Sequence, residues 1–220
     1  MIISVLQRLL APVLVLALSA SLHAAPGDAP LQLVERATNR ILTLSIEARD
    51  YVGQDPERYY RQVSEVLDEV IDFDGFARGV MATYASARLY KSLETDAERD
   101  QFNERVRRFG DKIERALIVT YADAVLSFNG ERISVSVPPG GEPADHRAMV
   151  NQEIYSSTGK VYLVQYSLRE SREAGWQVNN VTVDGANLGQ MYRTQFATLV
   201  EQAKGDVDVA IDNWGKRDGQ

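Results

Sequence analysis

The sequence predicts an α+β fold, in which an antiparallel sheet of about four to five strands is packed by amphipathic helices. Three observations lead to this prediction. Apolar residues recur every three or four positions in the first half of the chain and again near its end. Between Ile133 and Val183, apolar residues alternate with polar ones. Short turns separate these alternating segments, which favours antiparallel pairing over a doubly wound parallel sheet.

Residues 1–24 are predicted to be a secretory signal peptide. Arg8 supplies a short positive region, Leu9–Leu18 is an apolar run, and small residues before Ala25 suit cleavage after Ala24. The run is shorter than the roughly 20 apolar residues that a membrane span requires, although an uncleaved anchor is the alternative. Residues 25–220 are then expected to form one exported domain, which is long enough to bury a core.

Composition and charge exclude several classes of function. The chain contains no cysteine, so disulfides, thiol nucleophiles and thiolate metal sites are ruled out. The formal net charge is −7, and loss of Arg8 with the signal peptide would make it −8. An acidic protein does not suit a phosphate backbone, so nucleic acid is not an expected partner.

Three helices are predicted between residues 31 and 82. Apolar residues near helical spacing indicate the first, from Leu31 to about Tyr51. The second begins at Asp55-Pro56, where an N-cap residue precedes proline at the first helical position. The third is short and begins at Asp72 or Asp74, since either carboxylate can cap it.

A long helix is predicted from Asp96 to about Phe128. Thr95 and Glu98 form a capping box, and apolar residues then recur every three or four positions. At 1.5 Å per residue this helix would be roughly 45–50 Å long, enough to form one wall of the domain. Its first half is basic from Arg105 to Arg115, which indicates either a solvated face or a docking surface for an acidic partner or headgroup.

Four strands follow, and the middle two form a hairpin around Ser156–Gly159. In the fourth strand the apolar phase slips by one residue between Val178 and Val181, and a β-bulge at Asn179-Asn180 would reconcile the two halves. The predicted strands are Ile133–Val137, His146–Tyr155, Val161–Leu168 and Trp176–Val183.

Two amphipathic helices end the chain. The first is predicted from Met191 to Ala203, and the second follows Asp206, which is placed to cap it.

Residues suited to catalysis are scarce. His146 is the one histidine after the signal peptide, too few for a His/Cys metal site, and we expect it at the surface or at a strand start. A nucleophile elbow, a phosphate loop and a dinucleotide fingerprint are all missing from the sequence. Helix capping and solvation explain the carboxylates from Asp68 to Asp74, which lack the order of a calcium loop. A carboxylate pair acting as general acid and base stays possible, because its members need not be neighbours in the chain.

Tyrosine is abundant, with ten residues in the chain, and several lie on or beside apolar faces. One interpretation is an ordinary core with phenols at its rim. The other is a cavity with aliphatic walls and phenols at its mouth. Composition alone does not choose between a filled core and a hollow one.

The segment Trp176–Leu188, followed by Tyr192-Arg193 and Phe196, resembles a signature of one protein family. That family is the periplasmic phospholipid-binding component of the Mla (maintenance of lipid asymmetry) pathway, also called the toluene-tolerance auxiliary family. Its tryptophan-led strand, close to W-K-V-Y-D-V-x-V-E-G-V-S-L, precedes a Y-R-x-x-F helix. Three positions depart from the pattern, where the family usually has Asp, Glu and Ser: Asn180, Asp184 and Asn187.

Other segments extend the resemblance over most of the chain. Ile71–Met81 is similar to the family's I-D-x-x-x-M-A-R-x-V-M segment, and Thr120–Ala122 with Leu126 is similar to its T-Y-A-x-x-L. Gly130-Glu131 resembles a Y-x-G-E-x stretch before the first strand. The order and spacing of these pieces are more specific than any one of them.

The resemblance implies a periplasmic phospholipid carrier, in which the sheet and helices enclose an apolar lipid cavity, without catalytic residues, cofactors or metals. Its implied partners are the phospholipid itself, an inner-membrane ABC transporter complex with a lipid-binding ring, and an outer-membrane lipoprotein–porin complex. Shuttling between them would maintain the lipid asymmetry of the outer membrane. A carrier is physically necessary, because a tail of about sixteen carbons represents on the order of 12 kcal/mol of hydrophobic transfer.

The candidate contacts for the lipid tails are apolar positions on the strands and on two helices. A slip of one residue in a strand would move its whole set to the other face. The alternative functions are an exported α+β hydrolase or isomerase with an apolar substrate cavity, and an interaction protein with a filled core. The candidate tail contacts are Ile113, Leu117, Tyr121, Val135, Val150, Ile154, Leu163, Val178, Val183 and Phe196.

Overall fold

The computed structural model describes residues 29–126, 128 and 132–216, so the predicted signal peptide lies outside the described residues. It confirms the α+β class: five strands form one sheet, with each strand antiparallel to its neighbour in the order β1-β2-β3-β4-β5. The strands are β1 Arg132–Ser136, β2 Arg147–Tyr155, β3 Val161–Ser171, β4 Gly175–Val183 and β5 Ala186–Asn187. The helices are α1 Pro30–Ala48, α2 Pro56–Val70, α3 Phe73–Met81, α4 Ala87–Ser92, α5 Asp96–Leu126, α6 Leu188–Gln202 and α7 Val207–Asn213.

Side-chain caps begin the helices where the sequence predicts them. Asp55 accepts a hydrogen bond from the amide of Arg58 at 3.0 Å, and Pro56 follows at the first helical position of α2. Asp72, rather than Asp74, caps α3 through the amide of Gly75 at 2.7 Å. Asp206 caps α7 in the same way. Each cap satisfies an amide that has no partner within its helix.

The capping box of α5 is confirmed. The amide of Glu98 donates to Thr95 Oγ1 at 3.2 Å, and the amide of Thr95 donates to Glu98 Oε2 at 2.9 Å. The helix continues without a break to Leu126, a length of roughly 46 Å. It is therefore long enough to contact α1, α2, α3 and α7 at different points along its axis.

Two helical features differ from the sequence prediction. The short α4 has too few turns to show an apolar period, and it was not predicted. Helix α6 begins at Leu188 rather than Met191, because Asn187 caps it through the amide of Gln190 at 2.9 Å. Gly189, a weak helix former, hides this first turn in the sequence.

The predicted bulge in β4 is present. Ser167 of β3 pairs with Asn180, but its neighbour Leu168 pairs with Val178, so Asn179 is the extra residue. The bulge shifts the pleat by one residue. As a result Val178 and Val183 project from the same face of the sheet despite their odd spacing.

The buried apolar residues fall into three clusters instead of one. The largest joins α3, α5, α6 and α7 around Phe109 and Phe196. A second lies between α1 and the sheet around Val150. A third joins α1, α2 and the end of α5 around Tyr59. Smaller clusters beside a main core are usual in a domain, and here Val181 packs against both the first and the second cluster.

The arginines of α5 form ion pairs within the protein. Arg105 and Arg108 both reach Asp208 of α7, each with a nitrogen at 2.6 Å from a carboxylate oxygen. Arg107 pairs with two carboxylates of its own helix, and Arg115 pairs with Glu57 of α2 at 2.6 Å. The basic face is thus largely neutralised, and Asp208 fastens α7 to α5.

We predict that the D208N variant is less stable than the wild type at neutral pH. The two guanidinium groups hold the pKa of Asp208 below its ordinary value of 3.8. The stabilisation is therefore present above that pH and is lost as the pH falls through the folded-state pKa. For this partly exposed group we expect a loss of about 1 kcal/mol, or roughly 3 °C in Tm, measured by thermal denaturation.

The D212N variant is the matched control, since Asp212 is exposed on the same helix and its substitution gives the same change of charge. An equal loss in D212N, or a D208N difference that persists in acid, would contradict the role assigned to Asp208.

Candidate functional site

One face of the sheet, here called the inner face, is apolar. Cross-strand partners project to the same side of a sheet, so the register identifies its members. It consists of Ile133, Val135, Ala148, Val150, Gln152, Ile154, Tyr162, Val164, Tyr166, Leu168, Glu170, Trp176, Val178, Val181, Val183 and Ala186. The opposite face carries mainly polar side chains, among them Ser134, Asn151 and Gln165.

Helix α1 covers one half of the inner face. Leu33 and Val34 of α1 pack against the buried residues Val150, Leu168 and Val178. Such packing of an amphipathic helix on a sheet is the ordinary way to bury an apolar face. We call this part the covered half.

The other part of the inner face, the open half, is apolar but not fully buried. Ile133, Ile154, Val164 and Val183 are only partly buried, and Tyr162 keeps 37% of its surface exposed. Along each strand, burial therefore falls from the covered half to the open half. Exposed apolar surface of this extent, bordered by polar residues, is typical of a binding site for an apolar ligand.

Helix α5 borders the same region as the open half. Leu117 of α5 and Val183 of β4 both pack at the edge of the large helical cluster. Tyr121 lies one turn beyond Leu117, and 43% of its surface is exposed. The main neighbours of α5 are helices rather than strands. Helix α5 and the open half therefore meet at the large cluster, and α5 does not pack along the sheet.

Tyr166 lies in the middle of β3 on the inner face. Burial raises the pKa of its phenol to about 12, because surroundings of low polarity disfavour the ionised form. The side chain keeps part of its accessible surface, and its hydroxyl donates to Gln152 Oε1 at 2.8 Å.

The structure divides the ten predicted tail contacts into three groups. Ile113, Val150, Val178 and Phe196 are fully buried within the packed clusters. Leu163 is on the opposite face, because it pairs with Glu153 and side chains alternate along a strand. Of the remaining five, Val135 packs against the covered half. The other four border the open half or lie on α5: Leu117, Tyr121, Ile154 and Val183. Contact of all five with a lipid stays a prediction.

Sequence reasoning left Ile133, Gln152, Tyr162, Val164 and Tyr166 out of the candidate contacts, although all five lie on the inner face. At the start of β3, the residues that point to either face are apolar: Val161 and Leu163 on one face, Tyr162 and Val164 on the other. The sequence of this strand therefore does not indicate which face is the inner one. The register with β2 resolves this ambiguity, and no signal within β3 alone could.

The three departures from the family signature are structural hydrogen-bond partners. Asn180 Oδ1 accepts from the amide of Gly189 at 3.1 Å. The amide of Asp184 donates to the Leu163 carbonyl at 2.8 Å, and its carboxylate accepts from the Leu163 amide at 2.9 Å. Asn187 caps α6. Together they fix the corner at which the chain leaves β4 for α6.

Polar side chains elsewhere in the described part of the chain do not assemble into a metal centre. Among residues 29–126, 128 and 132–216, no group of three or more His, Cys, Asp or Glu side chains could hold a metal ion. His146 is exposed just before β2, and its Nδ1 is 3.0 Å from Glu170 Oε2. Desolvation raises the pKa of Glu114, which accepts a hydrogen bond from Ser64 between α5 and α2.

Two surface depressions lie away from the open half. One, of about 550 Å³, is on α6 beside Met191. The other, of about 320 Å³, is between α1 and α2 beside Leu44. Neither is lined by any of the ten predicted contacts. No helix in the described residues is long and apolar enough to cross a membrane.

Comparisons with known proteins agree with this architecture. The chain is 30% identical to the toluene tolerance protein ttg2D of Pseudomonas putida over 212 residues, which cover 96% of this chain and 90% of that protein. Its fold is similar to a phospholipid-binding protein of Ralstonia solanacearum solved in complex with a phospholipid. That match has a TM-score of 0.64 at 22% identity and covers 84% of this chain and 94% of the other. The family model for the MlaC protein matches residues 35–216, and the chain therefore belongs to the MlaC family.

Proposed function

We propose that this protein is a periplasmic phospholipid carrier that holds acyl tails between the open half of the sheet and α5. The observation that carries the proposal is the open half itself, an apolar face left incompletely buried inside a folded domain. Family membership supports it, as does the phospholipid bound by the structural relative from Ralstonia solanacearum.

The energetics favour an apolar ligand in this space. Apolar surface left in contact with water costs about 25 cal/mol per Å² relative to burial. An acyl tail has no polar groups to desolvate, so it can cover such a surface without leaving hydrogen bonds unmade. The exposed phenols Tyr121 and Tyr162 are suited to the boundary between tails and solvent.

The wider role that we propose is transport between membranes. A signal peptide over residues 1–24 would export the chain, and the mature domain would exchange lipid with an outer-membrane lipoprotein–porin complex and an inner-membrane ABC transporter complex. Exchange requires that a partner stabilise a more open state, since a ligand held equally well in every state is never released. The result would be maintenance of outer-membrane lipid asymmetry.

An enzymatic function has less support. The exported hydrolase or isomerase considered from the sequence requires a nucleophile or an acid–base pair beside the apolar space. His146 is exposed and pairs with Glu170. These two residues lie just before β2 and near the end of β3, at the opposite end of the sheet from Tyr162 and the open half.

We predict that the purified protein carries phospholipid. Native mass spectrometry should give a main species heavier than the polypeptide by the mass of one or more phospholipids, and solvent extraction should recover them. Purification as a lipid-free protein that cannot be loaded from phosphatidylethanolamine vesicles would contradict the carrier function.

A second prediction separates the two faces of β3. In V164D, an ionised carboxylate projects into the open half. An acyl tail bound beside it would desolvate the carboxylate at a cost of several kcal/mol, so phospholipid occupancy should fall by about tenfold or more. In L163D, the same group replaces an adjacent side chain that is 38% exposed on the opposite face. Occupancy of that variant should stay near the wild-type value.

Both variants are compared by native mass spectrometry after circular dichroism has shown that each is folded. Equal losses in V164D and L163D would contradict the assignment of the tails to the inner face.

The proposed transfer is tested with protein loaded with a fluorescent phospholipid. Addition of the solubilised inner-membrane complex should speed release, because partner binding is expected to stabilise the open state. Release at the same rate with and without the complex would argue against shuttling while leaving lipid binding intact.

A further inference from the structure

We propose that Tyr166, Gln152 and Thr38 form the inner end of the tail space and thereby set the length of acyl chain that the protein prefers. This inference rests on the proposed carrier function and adds that the site selects lipids by the length of their acyl chains.

The three side chains form one continuous series of hydrogen bonds. The Tyr166 hydroxyl donates to Gln152 Oε1 at 2.8 Å. Gln152 Nε2 then donates to Thr38 Oγ1 at 2.6 Å, and the Thr38 hydroxyl donates to the carbonyl of Val34 at 2.8 Å. The series therefore ties β3 and β2 to α1, the helix that covers the sheet.

Its position coincides with the boundary between the covered and open halves. Val150, the cross-strand partner of Tyr166, is fully buried under α1. Val164, the cross-strand partner of Gln152, is only partly buried. The inner face therefore changes from buried to partly buried at Tyr166 and Gln152, the two strand residues of this hydrogen-bond series.

Among the described residues, the other polar groups on the inner face include the hydroxyl of Tyr162 and the carboxylate of Glu170, which lie toward the two ends of β3. Gln152 is buried, with 6% of its surface exposed, so its amide depends on Tyr166 and Thr38 for partners. A methylene group can replace neither of these hydrogen bonds. An acyl chain that advanced past Tyr166 would have to break them, whereas a shorter chain that stops at the ring leaves them intact.

Substitution of Tyr166 tests whether its ring limits the depth of the tail space. Y166A removes the ring and should extend the space toward the covered half. Y162A is the matched control, because Tyr162 is on the same strand and face but is exposed at the far end of the open half. It removes the same ring without changing the depth of the space.

The test loads each delipidated protein from vesicles that contain equal amounts of phosphatidylcholines with palmitoyl, stearoyl and arachidoyl chains. Native mass spectrometry then measures the bound lipids. For Y166A we expect the ratio of longer to shorter chains to rise by about fourfold for each methylene newly accommodated. Tyr162 also borders the space, so any loss of occupancy in Y162A should affect the three lipids alike, and the ratio should keep its wild-type value. Y166L, which retains an apolar side chain, should shift the ratio in the same direction by less and serves if Y166A does not fold.

The outcomes separate this inference from the carrier function. Folded, lipid-loaded Y166A and Y166L with the wild-type ratio would overturn the role of Tyr166 and leave the carrier proposal standing. The role of Tyr166 would also be overturned, with the carrier proposal left standing, if Y162A shifts the ratio as much as Y166A. A folded Y166A variant that binds no lipid at all would have the same two consequences. A wild-type protein that takes up none of the three lipids would overturn the carrier function itself.

Discussion

The incomplete packing of α1 on the sheet is the constraint on which the rest of the structure depends. A helix that covered the whole inner face would complete the core and leave no room for a ligand. Here Leu33 and Val34 bury one half of that face, while Ile154 and Val164 stay partly accessible on the other. The buried residues form three clusters. Stability that a continuous core would supply must come from elsewhere, because the chain also has no disulfides.

Two features compensate on the helical side. The largest cluster contains a set of aromatic rings in close contact, in which Phe109 is 4.6 Å from Phe196 and 5.0 Å from Trp214 between ring centroids. Aromatic pairs of this geometry stabilise a core beyond their buried area. The long α5 adds ion pairs to α7 and α2 through Asp208 and Glu57. Helices α3, α5, α6 and α7 thus form a packed unit against which the more open sheet can be held.

The corner between β4 and α6 connects these two parts. Its polar residues replace those usual in the family, yet each has a defined partner. Asp184 binds both backbone groups of Leu163, and Asn180 accepts from the amide of Gly189. A Cβ atom on Gly189 would lie 2.6 Å from Asn180 Oδ1, so glycine is required for this close approach. The residues that differ from the family signature therefore affect the hydrogen bonds of this corner and replace no apolar residue of the inner face.

The sequence by itself determined the fold class, the helix starts at Asp55 and Thr95, and a bulge at Asn179-Asn180, because caps, periodicity and pleat phase are local properties. It left the cap of α3 open between Asp72 and Asp74, and the structure decided for Asp72. It also identified the family through a contiguous segment. Only the tertiary structure decided which face of β3 is inward, since Tyr162 and Leu163 are both apolar enough for either side and the choice depends on register with β2. It likewise decided that Ile113, Val150 and Phe196 are packed core, whereas Ile154 and Val183 border the open half. Whether a hydrophobic residue fills a core or lines a space depends on what lies opposite to it, and that neighbour is distant in the sequence.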